Sequence, residues 1–189
     1  MRTLSIALLC TLALALAAPV PVAAASLAGV TLPDKVEVDG QPLVLNGLGL
    51  RSKFGFKVYV AGLYLPNKER SAQKVLGADV PRRMVLSFLR DVGKDDMCDA
   101  WNEGLEANTP NASAQVKKDF ATLCGYMGDV AKGQQMVFTY VPGTGTRVEV
   151  AGKAKGTIAG KATADAILAT WLGPEPGPGE GFKKAVLGG

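Results

Sequence analysis

One short apolar stretch holds the polar side chains best suited to chemistry. In GLGLRSKFGFKVYVAGLYL, residues 47–65, Arg51 stands at the entrance of a β-forming run, and Lys57 and Tyr59 lie within it. A guanidinium is always charged and offers a planar fork of donors that suits a carboxylate or a developing oxyanion. Because an even separation along an extended chain puts side chains on one face, Arg51, Lys57 and Tyr59 are expected to face one cleft. A charge carried into apolar surroundings needs a partner, and a bound anion would supply it.

Arg51 also has a purely structural interpretation. It could pair with an acidic residue such as Asp91 and merely tie down a loop. The residue pattern alone leaves both interpretations open. They differ in one observable feature, which is whether the guanidinium finds a carboxylate partner within the protein.

The chain contains no histidine among its 189 residues. This excludes a Ser-His-Asp or Cys-His nucleophile and most zinc and iron sites, so we predict no metal and no cofactor. The net charge of +4 is small and spread along the chain, which argues against nucleic acid as a partner. The expected partner is instead a small hydrophobic or amphiphilic ligand.

The N-terminal residues have the pattern of a secretory signal. A short basic start precedes an apolar run over residues 4–18, and the small residues 23–25 suit a signal peptidase. We predict that residues 1–25 are cleaved, that residues 26–189 form a single domain, and that the protein is secreted, most suitably into a bacterial periplasm. The alternative is a membrane anchor, but the apolar core is shorter than the roughly 20 residues of a bilayer span. No integral membrane segment is expected after cleavage.

Cleavage would leave two of the three cysteines, Cys98 and Cys124. An isolated pair in an oxidising compartment is usually bridged, so we predict a disulfide between them. Closing a loop of this size contributes about 3 kcal/mol in the chain-entropy account. The alternative is two buried thiols that never meet.

The elements that position these residues follow from periodicity. Asp39-Gly40 between two alternating runs predicts a β-hairpin, and Gly47 and Gly49 are expected to loosen the chain before a long strand over 54–65. Further strands are predicted from residues 82, 134 and 146 onwards. Helices are predicted at 71–76, 94–106, 113–127, 163–172 and 182–187, and a Pro/Gly linker at GPEPGPGEG. This order indicates an α+β domain with a mainly antiparallel sheet.

Two stretches carry a family resemblance. The long one is GVTLPDKVEVDGQPLVLNGLGLRSKFGFKVYVAGLYL, with Leu-Pro, Gly-x-Gly-x-Arg and Lys-x-Tyr-x-Ala-Gly-x-Tyr-Leu motifs, and the short one is GKATADAILATWLG. From Gly29 to Gly173 the sequence thereby resembles the chalcone isomerase superfamily. The resemblance implies an open-faced β-sandwich, in which helices cover one side of a large antiparallel sheet and the late helix closes a ligand cleft.

The resemblance also implies roles for individual residues. Arg51 matches the arginine that, in the plant enzymes, stabilises the negative oxygen while a phenolate attacks an enone. Tyr59 replaces a threonine of those enzymes and is similar to the fatty-acid-binding branch, where this arginine and tyrosine hold a carboxylate. The enzymes' tyrosine and asparagine fall near Asp95 and Asn102, so only Asn102 keeps its type. Their last-helix hydroxyl aligns with Ala164.

Three functions are consistent with these residues. The first is a secreted, non-catalytic protein that binds a fatty acid or similar amphiphilic anion through Arg51 and Tyr59, with Lys57 on the same side. The second is an isomerase or intramolecular lyase of a chalcone-like phenolic enone, with Arg51 stabilising the oxyanion and Asn102 assisting. The third is an envelope scaffold that binds another protein through its sheet.

Overall fold

The computed structural model describes residues 23–189, so most of the predicted signal segment lies outside the described residues. The elements in chain order are β1 (Ala24–Leu27), β2 (Val30–Pro33), β3 (Lys35–Val38), β4 (Gln41–Lys53), β5 (Phe56–Leu65), α1 (Ala72–Gly77), β6 (Arg82–Phe88), α2 (Lys94–Asn108), α3 (Ala114–Tyr126), β7 (Gln135–Val141), β8 (Gly145–Val150), β9 (Lys153–Ile158), α4 (Lys161–Leu172) and α5 (Glu180–Val186). The predicted cleavage point before Ser26 falls within β1. Among residues 23–189, no helix has the length and apolar character to cross a membrane.

A seven-stranded antiparallel sheet forms the body of the protein. Its strand order is β3-β4-β5-β6-β7-β8-β9, so each strand pairs with its neighbours in sequence, while β1 and β2 form a separate hairpin. Antiparallel neighbours need only short connections, which the Asp39-Gly40 turn provides with positive φ angles of 48° and 78°. The predicted α+β class and antiparallel sheet are confirmed.

Strand β5 separates two hydrophobic cores because its side chains alternate between the faces of the sheet. Tyr59, Ala61 and Leu63 belong to the larger core, which the helices cover. Tyr64 belongs to a smaller core on the opposite face, where β2 contributes Leu32. The larger core therefore lies between sheet and helices, which is where a ligand cleft was expected.

The prediction for the start of the long strand was wrong. Residues 47–53 do not form an irregular segment before the long strand; they are the second half of β4. A turn at Phe54-Gly55 separates β4 from β5. The glycine serves a close approach: a Cβ on Gly49 would lie 2.8 Å from side-chain carbons of Phe182 and Val186 in α5. Gly49 thus lets α5 pack directly on β4.

A partly buried ion network fixes α4 against the sheet. Arg82 of β6 donates to Asp165 Oδ1 over 2.5 Å, and Lys161 donates to Asp165 Oδ2 over the same distance. Arg82 also donates to the carbonyl oxygen of Val75. Removing one partner of such a network leaves an uncompensated charge, so the network favours a single placement of α4.

Helices α2 and α3 form the predicted helical pair and bring the two cysteines together. Cys98 and Cys124 are half-buried free thiols, and Cys98 Sγ lies 3.6 Å from the carbonyl oxygen of Cys124. Burial, together with the nearby Cys98 thiol, raises the pKa of Cys124 to about 12. The disulfide between them remains a prediction.

Candidate functional site

A cavity of about 390 Å³ lies between the sheet and helices α2 and α4. Its lining comes from β4, β5, β6, β7, α2, α4 and the segment after α4. The volume falls within the roughly 300–1,000 Å³ that small-molecule sites occupy. The space between sheet and helices is therefore large enough to hold a small molecule.

The inner walls of the cavity are apolar and aromatic. Phe88, Met97, Trp101, Met136 and Trp171 line it and are buried. The Trp101 and Trp171 rings meet edge to face, with centroids 5.1 Å apart, which is a favoured aromatic geometry. These walls suit a hydrocarbon or an aromatic ring.

Arg51 carries charge into this apolar space. It is half-buried in β4, directly opposite Tyr59 in the ladder, and its guanidinium carbon lies 5.7 Å from the centre of the Tyr59 ring. No carboxylate among residues 23–189 forms a salt bridge with it. Asp91, the partner considered in the structural interpretation, instead accepts the backbone N–H of Lys132 over 2.7 Å. The guanidinium fork is thus available to a ligand.

Tyr59 places a hydroxyl beside that guanidinium. The residue is 5% exposed, and its oxygen accepts the indole N–H of Trp171 over 2.9 Å. Burial raises the pKa of Tyr59, and the nearby Arg51 charge offsets part of that rise. The hydroxyl is therefore protonated at neutral pH, and because its oxygen is the acceptor towards Trp171, its proton remains available for a ligand oxygen.

The other charged groups of the lining lie at the rim. Lys53, Arg90, Asp91 and Asp96 are exposed, whereas Arg51 is half-buried. Solvent screens charges at the rim far more strongly than a charge inside the cavity. The interior therefore favours an anion.

Two predicted site residues do not reach the cavity. Lys57 is exposed at the start of β5, outside the lining. Asn102 is exposed on α2 and also outside the lining, because successive helical residues point about 100° apart and Trp101 takes the inward direction. Ala164, which aligns with the last-helix hydroxyl residue of the plant enzymes, is buried outside the lining. The hydroxyl of its neighbour Thr163 donates to Asp119 Oδ2 over 2.6 Å. Much of the enzymes' polar set is thus missing from this cavity.

Other residues of the lining are not predictable from the sequence pattern. Arg90 lies after the end of β6 and Met136 is the second residue of β7, and neither is marked by a local sequence motif. Thr170 also lines the cavity, but its hydroxyl donates to the carbonyl oxygen of Ile167 over 2.8 Å, within α4. Trp101 and Trp171 belong both to the larger core and to the cavity wall.

Comparison with known proteins gives a family and a fold. Residues 24–188 match the family model described as chalcone isomerase-like. The structure is similar to the crystal structure of a fatty-acid binding protein from Arabidopsis thaliana, with a TM-score of 0.64 over 87% of this chain and 96% of that chain. The two sequences are 16% identical, so this similarity concerns the fold. No curated protein matches the sequence significantly.

Proposed function

The chain belongs to the chalcone isomerase-like family, and on this basis we propose that it binds a small amphiphilic anion, a fatty acid or a molecule of similar build, without transforming it. One observation carries the proposal. Arg51 is half-buried in the lining of an apolar cavity and has no carboxylate partner among residues 23–189. A charge placed in this way is costly unless an anion joins it.

Both polar groups of the site suit a carboxylate. The Arg51 fork donates in one plane, and the Tyr59 hydroxyl, held by Trp171, supplies a second kind of donor beside it. One carboxylate oxygen can accept from the guanidinium while the other accepts from the hydroxyl. A ligand with a neutral polar head would gain less from this pair.

The apolar walls would hold the hydrocarbon tail. Burial of each CH₂ group contributes about 0.8 kcal/mol, so a medium-length chain lying against Phe88, Met97 and Trp101 offsets the cost of association. We expect micromolar dissociation constants. The fatty-acid binding described for the Arabidopsis protein of the same fold supports this choice of ligand class.

The test is a titration read by intrinsic fluorescence. The chain has two tryptophans, and both line the cavity, so a saturated fatty acid entering it should change the emission without a label. A hydrogen bond to a charged group contributes about 1.5–3 kcal/mol, so Arg51→Gln should weaken binding about 10- to 150-fold. Arg70→Gln, which removes an exposed arginine outside the lining, is the matched control and should bind like the wild type. Equal affinity in the Arg51 variant would remove Arg51 from the site.

A second candidate function rests on the same two donors. A cation beside a protonated hydroxyl also suits an oxyanion that develops during isomerisation of a phenolic enone. Asn102, the other residue considered for that reaction, is exposed and outside the lining, which makes this candidate the weaker one. An assay for chalcone loss, with Arg51→Gln as the control, decides it: no rate above the uncatalysed background ends the idea for that substrate.

We also propose export to a bacterial periplasm, on the pattern of residues 1–25. The test is cell fractionation in the native host, followed by N-terminal sequencing of the purified protein. A mature N-terminus at Ser26 in the periplasmic fraction supports the proposal. An intact Met1 in the cytoplasmic fraction contradicts it.

A further inference from the structure

The tip of the β4–β5 hairpin exposes two phenyl rings to solvent. Phe54 is 88% exposed and Phe56 is 64% exposed. Within residues 23–189, the next large hydrophobic residue in this class is Val80, at 36%. Two exposed rings within three residues of one turn form an apolar patch, and exposed apolar patches mark interaction surfaces.

Phe54 also has a backbone conformation that is unusual for its residue type. Phe54 and Gly55 form the turn with φ angles of 53° and 80°, a left-handed pair for which Asn-Gly is the favoured sequence. A bulky residue rarely adopts such a φ angle. The turn chemistry therefore does not account for a phenylalanine at position 54, and the ring needs another explanation.

Basic side chains surround the rings. The Lys53 ammonium lies 5.7 Å from the centre of the Phe54 ring, and the Arg90 guanidinium carbon lies 5.3 Å from that of Phe56. Lys57 is also exposed, and the tip itself, residues 51–57, holds three basic residues and no acidic one. Aromatic rings with flanking cations match a surface that is apolar inside and anionic outside.

The same residues form the mouth of the cavity. Lys53, Phe54, Phe56 and Arg90 all contribute to its lining, together with the half-buried Arg51. The acidic residues of the lining lie outside the hairpin tip: Asp91 follows Arg90 in the segment after β6, and Asp96 is in the first turn of α2. A surface that covers the tip would thus face the cavity opening while meeting basic groups first.

We propose that this hairpin tip docks on an anionic lipid bilayer, with Phe54 and Phe56 entering the boundary between headgroups and acyl chains. Lys53, Lys57 and Arg90 then meet the lipid phosphates. Docking would place the cavity mouth against the source of amphiphilic ligands, so that a ligand passes between bilayer and Arg51 without crossing water. The transfer step rests on the proposed ligand, whereas the docking step does not.

The experiment is flotation of the purified, ligand-free protein with vesicles. Binding is expected to vesicles of phosphatidylcholine and phosphatidylglycerol in about equal parts, and not to pure phosphatidylcholine. Phe54→Asn with Phe56→Thr should reduce partitioning about tenfold for each ring lost. Because asparagine suits the left-handed turn, this variant should stay folded, which circular dichroism and thermal unfolding check. Val80→Ser, at a third exposed hydrophobic residue, is the matched control and should float like the wild type.

Two double lysine variants test whether the basic residues of the hairpin tip contact the lipid phosphates. Lys53→Gln with Lys57→Gln should weaken binding to the anionic vesicles about fivefold for each lysine, and added salt should weaken wild-type binding. Lys153→Gln with Lys155→Gln, exposed on β9, removes the same charge elsewhere and should have a much smaller effect.

The outcomes separate docking from ligand binding. No flotation of the wild type, or equal flotation of the phenylalanine variant and Val80→Ser, overturns the docking proposal even if fatty acids bind in vesicle-free buffer. Flotation that depends on the phenylalanines and lysines supports docking even if Arg51→Gln binds fatty acids like the wild type, a result that would overturn only the proposed function.

Discussion

Replacing Tyr59 by phenylalanine should lower both stability and ligand affinity, for two separate reasons. The Tyr59 oxygen accepts the Trp171 N–H over 2.9 Å in a buried position, so its removal leaves a buried indole donor unpaired. An unpaired buried donor costs about 1–3 kcal/mol, and each kcal/mol lowers Tm by about 2–4 °C in a domain of this size. We therefore expect Tm to fall by about 2–12 °C in Tyr59→Phe. The lost donor to a ligand carboxylate should weaken fatty-acid binding by about tenfold or more.

Tyr64→Phe provides the matched control for this prediction. Tyr64 lies in the same strand, is 1% exposed and donates its hydroxyl to the carbonyl oxygen of Pro33 over 2.9 Å, but it faces the opposite core. It should lose stability without losing affinity. The assays are thermal unfolding by circular dichroism and a fatty-acid titration of both variants. If Tyr59→Phe binds fatty acid as tightly as Tyr64→Phe, the hydroxyl does not contact the ligand and that part of the reasoning is refuted.

Three further predictions concern the fold. Burial raises the pKa values of Tyr64 and Tyr140 to about 12, so the folded protein keeps protons that the unfolded chain loses near pH 10. Stability in urea should therefore fall as the pH rises from about 10 towards 12, and a flat profile over that range would contradict this. Under oxidising conditions Cys98 and Cys124 should form a disulfide worth about 3 kcal/mol, and a mass of the non-reduced protein that shows two free thiols would contradict it. Gly49→Ala should lower the free energy of unfolding by about 1–3 kcal/mol because its Cβ would overlap side chains of α5, and unchanged urea unfolding would show that α5 shifts freely.

Most of the fold could be predicted from the sequence because its signals are local. The Asp39-Gly40 turn joins two alternating runs, and Ser71 and Ser113 cap α1 and α3 by accepting backbone N–H groups. The order of these elements then indicates the antiparallel sheet. The prediction failed for residues 47–53, before β5. No local pattern shows that α5, more than a hundred residues away, packs against Gly49.

The candidate site was predictable only in part. Arg51 and Tyr59 were expected to share a face of one strand, whereas they lie opposite each other on two strands. Both geometries bring them together, so the pairing was expected for the wrong reason. Lys57 was assigned to the cleft because of its even spacing from Arg51 along an extended chain, and Asn102 because it falls near the asparagine of the plant enzymes. Both residues are exposed and lie outside the lining. The residues at the cavity rim come from several elements and are brought together by tertiary packing, which the periodicity of one strand or helix does not indicate.

The most direct test of the central claim, that Arg51 holds the charge of a ligand, compares a fatty acid with the fatty alcohol of the same chain length. Calorimetric titration of both ligands into the wild type and Arg51→Gln gives four dissociation constants. We predict that the wild type prefers the acid by about tenfold or more and that Arg51→Gln binds the two ligands nearly equally. A wild type that binds acid and alcohol with the same affinity would contradict the account.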